Sequence, residues 1–404
     1  MSTDISSKVQ EITITNSVDD SEAGGTVVLA GTDYVDAGTI AIDKQFYVSL
    51  EYSPAASALN LRGVVSDIDT KDTLSGDKET VVTLMSPFKN YRKQVLHTTY
   101  FPTPTTVKSV LDLLAGTYMG LPAGAYDFTN VLGSLNIFRI DGLTIPQAMS
   151  LLAGTENKEI CWYQGKLRAK GLGPGFTYAK SRCSVFQLAS KDDLKIVNTV
   201  NVTGAEMTPD TAPVAETIGT LAIPVGELTE GVDRRYFYVE LTKLPAINIT
   251  VTSDLTTYFD FSYEGLKGNY AVILATRSGG GSQGATNLTV KGRPYKLGKL
   301  KRKVPRTVAI PGYNDIDTEM DYENPFIQNF TDADTVGQYQ LVFNKYAITS
   351  YMVVAPHNPE LEPNSTLEIT DGGVTLNTLI VRKITTTWRA SDSISEDTII
   401  GWNF

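Results

Sequence analysis

Few side chains in this 404-residue chain are placed to do chemistry. His97 and His357 are the only imidazoles. Neither has the spacing of a helical zinc motif or a sequence link to a nucleophile, and both read as structural or surface histidines. A Ser-His-Asp site assembles from distant positions, so the sequence leaves that option open without pointing to it. Cys161 and Cys183 fit synthesis in a reducing cytosol and read as free thiols rather than a bridge. The Gly-rich stretch SGGGSQG (278–284) lacks the Lys-Ser/Thr ending of a phosphate loop and precedes a strand-like run. It reads as a flexible hairpin tip. The acidic run NDIDTEMDYEN (314–324) carries Asp315, Asp317 and Asp321 without the glycine and final glutamate of a calcium loop. It reads as a solvated loop. No two of the 45 acids stand out as a catalytic pair. The expectation is no catalytic residue, no cofactor site and no metal site.

One charge feature does stand out. KGRPYKLGKLKRKVPR (291–306) has eight Lys or Arg and no acid, in a chain whose net charge is −10. The overall acidity argues against a general nucleic-acid binder but leaves room for a local basic patch. The stretch reads as a solvated interdomain strand or linker, or as a contact strip for an acidic partner or a passing nucleic acid. Only Tyr295 interleaves with the cations, which does not fit a stacking platform for single strands.

The chain is long enough for two to four domains. Its start, MSTDISSKVQEITITN, lacks the basic and apolar regions of a secretory leader. No run of eighteen apolar residues predicts a membrane span. Sequons at Asn201, Asn248, Asn287, Asn329 and Asn364 therefore read as by-products of Thr- and Asn-rich strands. Val9, Ile12 and Ile14 alternate with polar residues, and short strand-like runs continue to about residue 102, with a Gly76 turn between two of them. From Thr103-Pro104, read as N-cap and first helical residue, Val107, Val110, Leu111, Leu114 and Tyr118 follow at helical spacing. A second helix starts at Thr144, with Ile145, Met149 and Leu152 on one face. Leu-Leu-Ala-Gly occurs in both, at 113–116 and 151–154, in different registers, and reads as coincidence rather than repeat. EICWYQGKLRAKG then predicts a hairpin turning at Gln164-Gly165, and GLGPGFTY (171–178) a closing loop. Strand patterns resume from Val185. A late helix is predicted from Thr331 by the capping box Thr331–Asp334, with Val336, Tyr339, Phe343 and Tyr346 along it.

These pieces resemble a family. A β-rich domain, a helical insert and a second β-rich domain form the plan of phage tail hub proteins, which are related to the hub part of type VI secretion spikes. TVKSVLDLLAGTYMGL resembles the first insert helix of that family, DGLTIPQAMSLLAG the second, and WYQGKLRAKGL the hairpin after it. IVNTVNVTG (196–204) is similar to the entry to the second barrel. ENPFIQNFTDADTVGQYQLVF and PELEPNSTLEITD resemble the late helix and strand, although Asn364-Ser365 stands where the family often has Gly-Asp.

The resemblance implies an α+β, mostly β fold. It has two tail-tube-like β-barrel domains separated by a helix-helix-hairpin insert, with a C-terminal helix and strands. The boundaries are an N-terminal barrel at 1–102, the insert at 103–183, a second barrel at 184–308, and 309–404 completing the second half. The implied function is a non-enzymatic homotrimer in a virion, assembled in the host cytoplasm. It is the central hub of a baseplate or tail tip, matching a sixfold tube to a threefold spike. The implied partners are further copies of itself, the tail tube or distal tail protein, a central spike and the tape-measure protein. Nucleic acid would pass only transiently through the lumen. Two alternatives remain on residues alone. One is a carbohydrate-binding or glycan-degrading tail or surface protein, permitted by 3 Trp, 20 Tyr and 14 Phe. The other, a secreted adhesin, is disfavoured by the missing leader.

Overall fold

The computed structural model describes residues 5–18, 24–50, 59–73, 77–91, 95–96, 99–101, 105–136, 138–163, 165–191, 196–209, 215–307, 318–346, 349–391 and 395–403. The fold is mainly β, with few helices. No helix among these residues is long and apolar enough to cross a membrane.

The alternation at Val9, Ile12 and Ile14 does make a strand, Val9–Ser17, with Ile12 and Ile14 buried. It pairs with Gly24–Ala30 on one side and with Val374–Arg389 on the other, where Ile14 lies opposite Thr386. The two ends of the chain therefore share one eleven-stranded sheet. Its path runs from Val185–Lys191 through Thr349–Pro356, Ser395–Asn403 and Val374–Arg389 to Val9–Ser17. It continues through Gly24–Ala30, Lys78–Met85 and Leu59–Asp72 to Gln45–Leu50. Thr366–Asp371 and Gly175–Ala179 branch from Val374–Arg389. Two expectations change here. The predicted closing loop at 171–178 contains a strand of this sheet. The strands after residue 348 pair with the first segment, whereas the sequence assigned 309–404 to the second half. A period of two shows which face of a strand is apolar but says nothing of its partner.

Between the two halves of that sheet, residues 105–170 form the insert. Its first helix runs Val107–Leu113 and is capped by Thr106, whose hydroxyl accepts from the Ser109 amide at 3.1 Å. Thr103-Pro104, expected to start it, lies outside the described residues. The helix continues as a π-helical turn, Leu114–Tyr118, closed by the Met119 amide on the Leu114 carbonyl. The wider turn shifts the register by one, so Met119 is buried and Tyr118 faces out. The second helix, Ile145–Gly154, has the expected Thr144 cap, completed to a capping box by Gln147. Its Ile145, Met149 and Leu152 are fully buried. They share one core with Val110, Leu111, Leu114 and the hairpin's Trp162 and Leu167. Each such side chain contributes roughly 1.5–3 kcal/mol relative to an exposed one. The hairpin strands Glu159–Tyr163 and Lys166–Lys170 pair as expected, with Trp162 opposite Leu167. Phe326, from much later in the chain, meets Phe138 edge to face at 5.7 Å and fills the same core.

The second β-unit packs a five-stranded sheet against a three-stranded one. The strand Thr286–Pro305 is the backbone of the larger sheet. Its first half pairs with Glu216–Ile223 and Ala246–Ser253, and its second half with Thr199–Pro209. Glu319–Glu323 then adds in parallel to Thr199–Pro209. The smaller sheet has the order Arg234–Glu240, Tyr270–Arg277, Phe259–Lys267. Ile218, Val239, Phe259, Ile273, Leu288 and Val290 fill the space between the two. Among the described residues neither this pair nor the eleven-stranded sheet closes into a hydrogen-bonded barrel, since every path has free ends.

The late helix is Phe330–Tyr346. Its cap is Asn329, whose side chain accepts from the Asp332 amide at 2.8 Å, not Thr331 as expected. Asp334 is diverted to Arg302. The helix lies on the second half of Thr286–Pro305 because Gly337 lets it approach. A Cβ there would sit 2.6 Å from Val304 Cγ2 and 2.8 Å from its Cβ, in the core with Val200, Leu300 and Val336. Gly337→Ala is expected to lower stability by about 1–3 kcal/mol through overpacking, read as a lower urea midpoint at unchanged slope.

Candidate functional site

Most residues singled out for chemistry have structural roles. His97 lies outside the described residues. His357 is enclosed, its Nδ1 2.7 Å from Oδ1 of the fully buried Asp397, which also accepts from the Thr386 hydroxyl at 2.7 Å. The other Asp397 oxygen accepts from the Asn358 amide, so this group fixes a loop to the sheet. Both thiols are free. Burial pushes the Cys161 thiol up to about 12, and it also raises that of half-buried Cys183.

The Gly-rich stretch is a packed crossover between the two sheets of the second unit, not a loose tip. Gln283 is buried, accepting from the Tyr258 amide and donating to the Leu255 carbonyl, and the Ser278 and Gly279 amides reach the Tyr258 carbonyl. Of the acidic run, Asp315 and Asp317 lie outside the described residues. Asp321 belongs to the strand Glu319–Glu323 and accepts from Asn201.

The basic stretch is a strand, one of the two forms expected, and not a linker. It forms most of the twenty-residue strand Thr286–Pro305. Even-numbered Leu288, Val290, Leu300 and Val304 are buried, so the odd-numbered Lys291, Lys299, Lys301 and Lys303 share the outer face. From Lys291 to Lys303 that face extends about 40 Å. Several of the cations are committed within the chain. Arg302 makes a two-pronged pair with Asp334, at 2.6 and 2.8 Å, which holds that carboxyl below its ordinary value. Lys303 pairs with Glu319, and Arg306 donates to the Val197 and Leu341 carbonyls. Lys291, Lys299 and Lys301 are exposed and have no carboxylate partner among the described residues. Register places Glu319, Asp321 and Glu323 on the same face, beside Thr199, Asn201 and Thr203, so that Asp321 lies across Asn201 from Lys303 and Glu323 across Thr203 from Lys301. A row of acids beside a row of lysines disfavours a long polyanion and suits a protein surface with both signs.

A residue the sequence reading missed holds the insert to the large sheet. Arg382, on Val374–Arg389, donates from Nη1 and Nη2 to the two Glu159 oxygens, both at 2.7 Å. Nη1 also donates to Asn364 Oδ1 at 2.6 Å, while Asn364 Nδ2 donates to Glu159 at 2.7 Å. The guanidinium stacks over Trp402 at 4.2 Å and nears Phe343 at 5.3 Å. Insert, sheet and late helix thus meet on one cation. Asn364 is fully buried with φ +66°, a left-handed conformation that asparagine tolerates better than most residues. This accounts for asparagine at a position where the resembling family often has glycine. Beside it, Lys170 pairs with Glu362, and the Tyr163 hydroxyl lies 2.9 Å from the Pro359 and Leu361 carbonyls.

No protein-family model matches the chain, and no curated protein matches it by sequence. Solved structures do. A tail protein from Neisseria meningitidis MC58 aligns with a TM-score of 0.53 at 8% identity, over 98% of this chain and 92% of that one. The 43 kDa tail protein of prophage MuSo2 from Shewanella oneidensis aligns with a TM-score of 0.52 at 10% identity, over 97% and 93%. At such identities the likeness is one of fold, and it spans nearly the whole chain in each case. The resemblance to phage tail proteins read from the sequence is borne out at that level.

Two predictions follow from this geometry. Arg382→Met should cost about 3 kcal/mol, because Glu159 and Asn364 lose their shared partner. Arg382→Lys should recover little, since an ammonium cannot reproduce both the fork and the stack. Urea unfolding of both variants checks this. In the folded protein a thiol reagent should modify Cys183 and spare Cys161 until denaturant is added, as peptide mapping would show.

Proposed function

We propose that this chain is a structural protein of a phage tail: the trimeric central hub of a baseplate or tail tip, which adapts a sixfold tube to a threefold spike. The observation that carries the reading is the fold likeness to two tail proteins along almost their full length. Each chain contributes two β-units, the N-terminal one within 1–102 and the second within 184–308, with 103–183 as the insert between them and 309–404 contributing to both. Three copies then present six β-units to the tube and three identical faces to the spike.

The sheet edges support such an assembly. Among the described residues the main path of the eleven-stranded sheet ends in two free edges, Val185–Lys191 and Gln45–Leu50, and its branch ends in a third, Gly175–Ala179. Each offers unpaired backbone donors and acceptors to a neighbour's strand. The two different edges at opposite ends of the main path suit head-to-tail contacts, which generate a ring when the rotation closes. The partners on this reading are the tail tube or distal tail protein, the spike and the tape-measure protein. The place is the virion, after assembly in the host cytoplasm, and the work is done by interfaces without catalysis. Light scattering on the purified chain should give three times its 43.9 kDa mass or a whole multiple of that, and electron microscopy should show a ring. A monomer with no ring at any concentration overturns the reading.

A further inference from the structure

The three-stranded sheet of the second β-unit has an outer face that breaks the usual pattern. Its inner face is the core, where Val239, Phe259, Ala271, Ile273 and Ala275 are fully buried. The outer face of an antiparallel sheet covered on one side only is ordinarily polar. Here it carries Tyr236, Tyr238 and Tyr270, which are 56%, 50% and 43% exposed, with Val272 and Leu274 between them. An apolar, tyrosine-rich centre is the make-up of a protein contact.

The charges around that centre identify what covers it. Register puts Arg234, Thr276 and Asp260 in one row across the sheet, and Glu240, Tyr270 and Lys267 in another six residues away. The corners therefore alternate in sign. All four corner residues are exposed and none has an ion-pair partner among the described residues, while the Lys267 ammonium lies 5.9 Å from the ring of its own Tyr238. The rows between them set large against small. Tyr236 shares a row with Ser262, and Tyr238 shares one with Gly265 across Val272. Gly265 sits at a bulge with φ +149° and open space where a Cβ would be.

We propose that this face binds the same face of a second copy, about a two-fold axis running along the strands. Such an axis exchanges the two outer strands. Arg234 then meets the second copy's Asp260, and Glu240 meets its Lys267. Tyr238 enters the space over Gly265, Tyr236 covers Ser262, and Val272 and Leu274 meet their own counterparts on the axis. Charge and shape are complementary together in a single arrangement, as an isologous contact requires. The sheet face measures roughly 14 by 23 Å from strand spacing and rise. That is well short of the ~800 Å² per partner of a standard interface, so the association is weak and concentration-dependent.

This contact is independent of the trimeric reading. In a threefold assembly it joins two rings, and without one it joins two chains. Sedimentation velocity of the full chain from about 1 to 100 µM, a range that covers micromolar affinities, tests it. The wild type should reach an even number of chains. Arg234→Glu with Lys267→Glu makes every corner acidic, and Asp260→Lys with Glu240→Lys makes every corner basic. Each double variant should halve the limiting mass with an unchanged unfolding temperature, and an equimolar mixture of the two should restore it. Tyr238→Ser should also dissociate the pair. The proposal is overturned if the wild type shows no even-numbered species, if both double variants associate like the wild type, or if the mixture stays apart. Loss of the ring contact reads differently: it leaves masses of one and two chains, whereas loss of this contact leaves three.

Discussion

The pairing of Val9–Ser17 with Val374–Arg389 is the constraint on which the rest of this structure depends. It brings together strands about as far apart in sequence as the chain permits, and everything between them is looped out from that seam. Closing so long a loop costs entropy that grows only slowly with length. The cost is met by burial on either side of the seam, with Ile12, Ile14, Val27 and Val82 in one core and Leu367, Leu379, Val381 and Ile399 in another. The insert and the second β-unit are then positioned by what they attach to the seam. Arg382 lies on the seam strand itself and takes hold of the insert through Glu159 and of the late helix through Phe343. A cation that forks onto a carboxylate while stacked on an indole has few equivalent geometries, so the junction fixes orientation as well as distance.

Local structure was largely legible in the sequence, because it is written in short-range patterns. The Thr144 cap needs only four residues to declare itself. The alternation at Ile12 and Ile14 and the Trp162–Leu167 hairpin are of the same kind. Partnership between distant strands was not legible. Nothing in the sequence of Thr349–Pro356 distinguishes a place in the second unit from its place beside Ser395–Asn403. Arg382 was invisible for a related reason: it is one cation in a strand of Thr, Lys and Ile, and its value lies in four residues from other parts of the chain. The π-turn at Leu114–Tyr118 escaped because an ideal helical period assigns Tyr118 to the buried face.

The two Leu-Leu-Ala-Gly tetrapeptides show how a coincidence can have a common physical basis. In both, the second Leu and the Ala are buried in the same core. In both, the glycine comes up against a tyrosine hydroxyl. A Cβ would lie 2.9 Å from Tyr126 Oη at Gly116 and 2.8 Å from Tyr322 Oη at Gly154. Two helices of one small core face the same packing problem and meet it with the same residues, without any repeat in the chain.

Charge counts misled where charge placement informs. Eight cations in sixteen residues suggest a patch in search of an anion. Strand geometry sends Arg302 to the late helix, Arg306 to backbone carbonyls and Lys303 to a neighbouring acid, while Lys291, Lys299 and Lys301 stand exposed on one face with no carboxylate partner among the described residues. The short segment Arg234–Glu240 carries fewer charges and more information, because it is apolar on both alternating sets: Phe237 and Val239 inward, Tyr236 and Tyr238 outward. Two tyrosines on the water-facing side of such a strand leave about half of their surface exposed. A strand with both sets apolar has two surfaces to cover, and the fold of a single chain covers one of them. In a protein whose fold is similar to that of phage tail proteins, uncovered surfaces of this kind are where contacts with other chains can form.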